Sequence, residues 1–138
     1  MAALHRAVAS LRIVGEELNP TEITALLGHS PTKCHRKEEA ARTTAGQTLA
    51  SRYSYWSLEA TATEPEDLAA QIEEITGKLT HDLCIWHALS TRYKIDLFCG
   101  WFMNGTNEGV DLPARTLTAL AERHIALAID IYAPDGDA

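Results

Sequence analysis

A mostly antiparallel four-stranded sheet with helices on one face is the architecture this sequence predicts, and three observations predict it. Four segments alternate apolar and polar residues with the period of a strand. The segments between them repeat apolar residues every three or four positions, as amphipathic helices do. The strand segments alternate instead of running continuously apolar, which sets them apart from the doubly buried strands of a parallel sheet. The order strand, helix, strand, long helix, strand, helix, strand therefore reads as an α+β fold, a ferredoxin-like variant with an extra helix between strands 2 and 3.

The first strand lies within residues 4–14, where Ala7, Ala9, Leu11 and Ile13 share one phase and Arg6, Val8, Ser10 and Arg12 the other. A helix start follows at Asn19-Pro20-Thr21-Glu22: Asn19 caps, Pro20 suits the first helical position, and Glu22 is placed to reach back as in a capping box. Ile23, Leu26 and Leu27 form its apolar stripe, and Gly28 supplies a left-handed stop. Residues 29–52 carry no period. They hold the basic knot Lys33-Cys34-His35-Arg36-Lys37 and then TTAGQTLAS, so 33–52 reads as a mobile arm or a ligand-contacting loop.

Strand alternation resumes over residues 53–61, with Trp56, Leu58 and Ala60 inward and Tyr53, Tyr55, Ser57 and Glu59 outward. From Glu64-Pro65 the period becomes helical through Leu68, Ile72, Ile75, Leu79, Leu83, Trp86, Leu89 and Tyr93. Gly77 and Thr80 are expected to divide this stripe, with Thr80 capping its second half. The run KIDLFCGWFMNGTNEGVDL, Lys94–Leu112, holds the longest strand, with Ile95, Leu97, Cys99, Trp101 and Met103 on the core side and a turn at its end. A last helix over about 113–123 points Leu117, Leu120 and Ala121 inward, and a final strand over 125–133 does the same with Ile125, Leu127, Ile129 and Ile131. Trp56, Trp86 and Trp101 all fall in phase with aliphatic positions, which makes them packing residues.

Composition bounds the function. The 138 residues, 46% hydrophobic and 22% charged, suit one domain, 1–138, with a core of ordinary size. A formal charge of -7 argues against nucleic acid and anionic membranes as partners, since both reward basic surfaces. The amino terminus is broken by His5, Arg6, Ser10 and Arg12, and no run of 18 apolar residues follows, so neither a secretion signal nor a membrane span is expected. The three cysteines, Cys34, Cys84 and Cys99, are odd in number and widely spaced, which points to a reducing cytoplasm.

Chemistry motifs are sparse. His81, Cys84 and His87 stand at i, i+3 and i+6 and the arm adds His29, Cys34 and His35, but i to i+6 fans side chains across about 120° of a helix, too wide for a compact metal site. Cys34 has basic neighbours that would favour a thiolate, and Asp96 with Asp130 forms a conceivable acid and base pair. Phosphate loops, dinucleotide fingerprints and nucleophile elbows are absent. No catalytic residue, metal or cofactor is assigned.

The most informative surface is the sheet face opposite the helices, which would collect Arg6, Ser10, Arg12, Tyr53, Tyr55, Ser57, Glu59, Asp96, Phe98, Phe102, Asp130 and Tyr132. Five aromatics there are too many for a face that meets only water. Of this set Arg12, Tyr53, Tyr55, Glu59, Asp96, Phe98, Phe102, Asp130 and Tyr132 are the candidate binding residues. The segments RIVGEELNPTEITALLGHSP, YSYWSLEA, IDLFCGWFM and GVDL, followed by a helix and IALAIDIYAP, resemble the uncharacterised bacterial family called domain of unknown function 4279. That resemblance covers nearly the whole chain and implies a single cytoplasmic bacterial domain, with no activity attached. Lys37-Glu38 and His124 depart from it, standing where a turn glycine is expected. The functional expectation is a non-enzymatic interaction domain that uses the open aromatic face to bind a protein partner or a second copy of itself. The alternative is a small-molecule site or minor enzyme between that face and the 33–52 loop.

Overall fold

The structure, a computed structural model, describes residues 2–37 and 53–134 together with the backbone of 40–42 and 48–50. The rest of the 33–52 arm lies outside the described residues. Among the described residues, nine strands and four helices follow one another as β1 (Ala2–Ala3), β2 (Arg6–Gly15), α1 (Pro20–Leu27), β3 (Lys33–His35), β4 (Ala40–Arg42), β5 (Thr48–Ala50), β6 (Ser54–Glu59), α2 (Leu68–Lys78), α3 (Leu83–Arg92), β7 (Lys94–Phe102), β8 (Glu108–Gly109), α4 (Ala114–Glu122) and β9 (Ala126–Tyr132). The main sheet runs β3-β6-β2-β7-β9, and two small sheets pair β1 with β8 and β4 with β5.

The α+β class holds, but the sheet is five-stranded and mixed. β2 is antiparallel to both β6 and β7, β6 is antiparallel to β3, and β9 lies parallel to β7. The ferredoxin-like, four-stranded detail is therefore corrected, and β3 explains why. Two antiparallel steps make β3 parallel to β2, so β2-α1-β3 is a strand-helix-strand unit, and β6 then inserts between its two strands. A three-residue strand, KCH, shows no alternation to read, and half of this crossover was thus invisible. At the other side β7-α4-β9 is a second parallel unit, the usual result of a helical crossover.

Local signals set the element ends. Asn19 accepts from Thr21 N at 3.0 Å and Pro20 occupies the first turn of α1. Glu22 does not reach back to the cap; it pairs with Arg92 at 2.8 Å. Gly28 closes α1 at φ 80°, with no heavy atom within 4 Å of where a Cβ would stand. Gly28→Val is accordingly expected to cost about 1–2 kcal/mol, all of it backbone strain, as a lowered midpoint of chemical denaturation. The long apolar stripe divides as expected, although Asp82 rather than Thr80 caps α3, accepting from Cys84 N at 2.9 Å. His124 adopts φ 56°, the left-handed conformation in which a glycine is at home.

All four helices send buried side chains to one side of the sheet. Ala7, Ala9, Leu11 and Ile13 of β2, Trp56 and Leu58 of β6, and Ile95, Leu97 and Cys99 of β7 meet Ile23, Leu27, Leu68, Ile72, Ile75, Trp86, Leu89 and Leu120 there. Small Ala7 and Ala9 let α2 approach β2 closely enough for Gln71, 1% exposed, to bond its backbone. Gln71 Nε2 donates to Ala7 O at 2.8 Å and its Oε1 accepts from Ala9 N at 2.8 Å. The chain leaving β6 bulges at this point, between the bonds Ala60 N to Ala9 O and Ala7 N to Thr63 O, and the glutamine amide fills the gap in the ladder.

The last helix and strand differ from expectation. In α4 the inward residues are Thr116, Leu120 and then Arg123, while Leu117 and Ala121 are exposed. Ile125 is buried, but Leu127, Ile129 and Ile131 are 37%, 37% and 61% exposed. Their phase is as read, since they stand beside Leu97, Cys99 and Trp101; the helix layer simply does not extend over the edge strand. Trp101, near the same margin, is half-buried and its indole N–H has no partner among the described residues.

Glu108 ties the amino-terminal segment to the turn after β7. Its carboxylate accepts from the backbone N–H of His5 at 2.8 Å, of Asn104 at 2.8 Å and of Gly105. Loss of solvent favours the neutral acid, but these three donors prevail and hold the carboxyl below its ordinary 4.5. A depressed folded value stabilises the protein above the unfolded value, and that contribution disappears as pH falls through the folded one. Glu108→Gln should therefore lower the urea midpoint at pH 7 and should converge with wild type once acid protonates the carboxyl; a gap that persists in acid would assign the loss to shape, not charge.

Candidate functional site: the helix-free face of the sheet

On the face away from the helices, strand register stacks the candidate residues in tiers. Val14 lies beside Tyr55 and Lys94; Arg12 beside Ser57 and Asp96; Ser10 beside Glu59 and Phe98; Val8 beside Gly100; and Arg6 beside Phe102. β9 continues these tiers, with Ala128 next to Phe98, Asp130 next to Gly100 and Tyr132 next to Phe102. Among the described residues no helix covers this face.

Its aromatics are ordered by cations of the same chain. Arg12 holds Asp96, 84 residues away, in a two-point pair, Nε to Oδ1 at 2.8 Å and a terminal nitrogen to Oδ2 at 2.7 Å. The hydrogen bond to Asp96 raises the Arg12 value above the ordinary guanidinium one, against a partial burial that opposes the charge. The same guanidinium lies 4.4 Å from the centre of the Phe98 ring. At the other end Arg6 stands 4.7 Å from the Phe102 ring, which stacks on Tyr132 with centres 4.8 Å apart and planes 8° from parallel. Gly100 permits this arrangement, because a Cβ there would come within 3.3 Å of Phe102 and 3.7 Å of Tyr132. Tyr55 stacks on His35 of β3 at 5.3 Å.

Two hollows mark the face. One of about 460 Å³ is lined by Arg12, Val14, Gly15, Tyr53, Tyr55, Lys94 and Asp96. The second, about 280 Å³, lies among Arg6, Ser10, Glu59, Phe98, Phe102 and Tyr132. The structure thus brings together eight of the nine candidates in these linings; Asp130 stands apart, exposed beside Gly100. Glu59 pairs with Lys33 at 3.4 Å. Tyr53 precedes β6 instead of lying in it. Lys94, Val14 and Gly15 were missed, although the alternation that selects Arg12 and Asp96 also selects Val14 and Lys94. His35 was missed because β3 carries no pattern. Among the described residues no carboxylate pairs with Arg6 or Lys94.

The chemical alternatives do not assemble into a reacting group. Asp96 and Asp130 sit on rows four residues apart along the β7–β9 pair, about 13 Å at ~3.3 Å per residue, and Asp96 is committed to Arg12. Cys99 lies on the core side, where burial and then Asp96 push its thiol up to about 12. Cys34 and Cys84 are exposed and unpaired. His87 faces His124 at 3.3 Å and His81 accepts from Arg123 at 3.3 Å, so the i, i+3, i+6 set points to separate neighbours. Among the described residues no three His, Cys, Asp or Glu side chains gather as metal ligands would, and no helix is long and apolar enough to cross a membrane.

Neither a curated protein nor a solved structure matches the chain. A family does, over residues 4–134, with the L-N-P-T-E-I helix start and the aromatic strands of the open face inside the matched span. The chain belongs to the family described as Domain of unknown function (DUF4279).

Proposed function

We propose that this chain is a non-enzymatic interaction domain of the cytoplasm whose helix-free sheet face binds a protein partner. The observation that carries the reading is the pair of ordered tiers, Arg6 on Phe102 on Tyr132 and Arg12 on Phe98. Arginine and large aromatics are the residue types that anchor protein interfaces, and side chains already held in place lose little entropy on binding. The three unpaired cysteines accord with a reducing compartment.

A second reading rests on the 460 Å³ hollow, a volume in the range of small-ligand sites, with Tyr53 and Tyr55 as apolar walls, Lys94 as a cation and the Arg12–Asp96 pair beside it. Its ligand would be a small anion with an aromatic or apolar body. The tiers favour the first reading because they occupy the remainder of the face, beyond what one small molecule spans.

The test is a Tyr55→Ser and Phe98→Ser double variant, examined by thermal unfolding and by capture of partners from an extract of the producing organism. Unfolding within a few degrees of wild type, with loss of one specifically retained protein, is the expected result. Retention of that protein by the double variant would remove the face from the interaction. Unfolding at a much lower temperature would make the face a second core.

A further inference from the structure

We infer that β9 pairs with β9 of a second copy, antiparallel about a two-fold axis at Ile129, so that two sheets join edge to edge. β9 is the outermost strand of the main sheet, and its only strand neighbour among the described residues is β7. Tyr132 O accepts from Met103 N at 3.0 Å and so points toward β7. Backbone groups alternate along a strand, which turns the N–H and C=O of Leu127, Ile129 and Ile131 outward, away from the sheet. These are the same residues whose apolar side chains are 37%, 37% and 61% exposed. A long edge strand that leaves both its hydrogen-bonding groups and its aliphatic side chains in water, with no lysine or proline in ALAIDIY to block pairing, is a template for another strand.

The symmetry of ALAIDIY about Ile129 selects a second copy as the occupant, and charge restricts the register. The chain carries a formal -7, and self-association must keep its carboxylates apart. Pairing centred on Ile129 does so: Ile129 meets Ile129, Leu127 meets Ile131, and Asp130 meets Ala128 of the second copy. Every outward backbone group of the three residues then finds a partner. Centring on Asp130 would oppose the two carboxylates directly, and centring on Ala128 would set Ile131 opposite Ile125, which precedes the strand and is already buried in the core. The other sheet edge, Lys33-Cys34-His35, offers no aliphatic stripe, so a head-to-tail chain of copies is disfavoured. In the joined sheet the two open faces become one surface, with Tyr132 of each copy across from Ala126 of the other. The β9 edge is distinct from the open face on which the proposed function rests.

The test is sedimentation equilibrium of wild type, Ile129→Lys and Ala128→Lys, together with amide exchange of wild type at several concentrations. Wild type should have twice the chain mass, and the amides of Leu127, Ile129 and Ile131 should exchange more slowly as concentration rises. Ile129→Lys should weaken association by on the order of 100-fold, since each change is met twice at the axis. Ala128→Lys should strengthen it, because each new ammonium faces Asp130 of the other copy. A monomeric wild type, or exchange at these amides that ignores concentration, overturns the inference. A dimer indifferent to Ile129→Lys overturns the edge, and a dimer weakened by Ala128→Lys overturns the register; amide exchange decides the matter if Ile129→Lys does not fold.

Discussion

Gln71→Ala is expected to lower stability by about 3–5 kcal/mol, a large loss for an uncharged side chain on a helix. Its amide is 1% exposed and bonds Ala7 O and Ala9 N at 2.8 Å each, with a third contact to Thr63 Oγ1 at 3.0 Å. Removing it leaves the buried Ala9 N–H without a partner and Ala7 O with only the long bond from Thr63 N at 3.4 Å, at about 1–3 kcal/mol apiece, and opens a cavity where the side chain stood. Gln71→Met separates that effect from simple loss of volume, because methionine keeps the bulk and cannot form the bonds. Denaturant midpoints should place both variants well below wild type. A methionine variant close to wild type would mean that water or a local shift satisfies Ala7 and Ala9.

Trp56→Ala should cost about 3–5 kcal/mol, by the same measurement, through the cavity left by the side chain. The ring is fully buried on β6, and its indole N–H donates to Thr24 Oγ1 at 3.1 Å, which fixes α1 against the sheet. Trp101→Ala should cost clearly less, because that ring is half-buried and its N–H makes no bond among the described residues. The alternation of the sequence places the two rings on the same side of their strands, and it does not distinguish them. A Trp101 loss equal to that of Trp56 would show that the margin of the sheet is covered by something beyond the described residues, such as the second copy inferred above.

What the sequence by itself determined is local. Ala7, Ala9, Leu11 and Ile13 face the core because a strand puts alternate side chains on opposite sides, and that holds wherever the strand lies. The ends of α1 follow in the same way from Asn19, Pro20 and Gly28, whose preferences act within a few residues. Tertiary structure alone decided the direction of β9, the place of three-residue β3, the ladder gap that Gln71 fills and the pairing of Arg12 with Asp96, 84 residues apart. It also decided which apolar faces are covered. Leu127, Ile129 and Ile131 have the same periodicity as Leu97 and Cys99, yet only the latter lie beneath helices, because a period states which side of an element is apolar and not whether another layer reaches it.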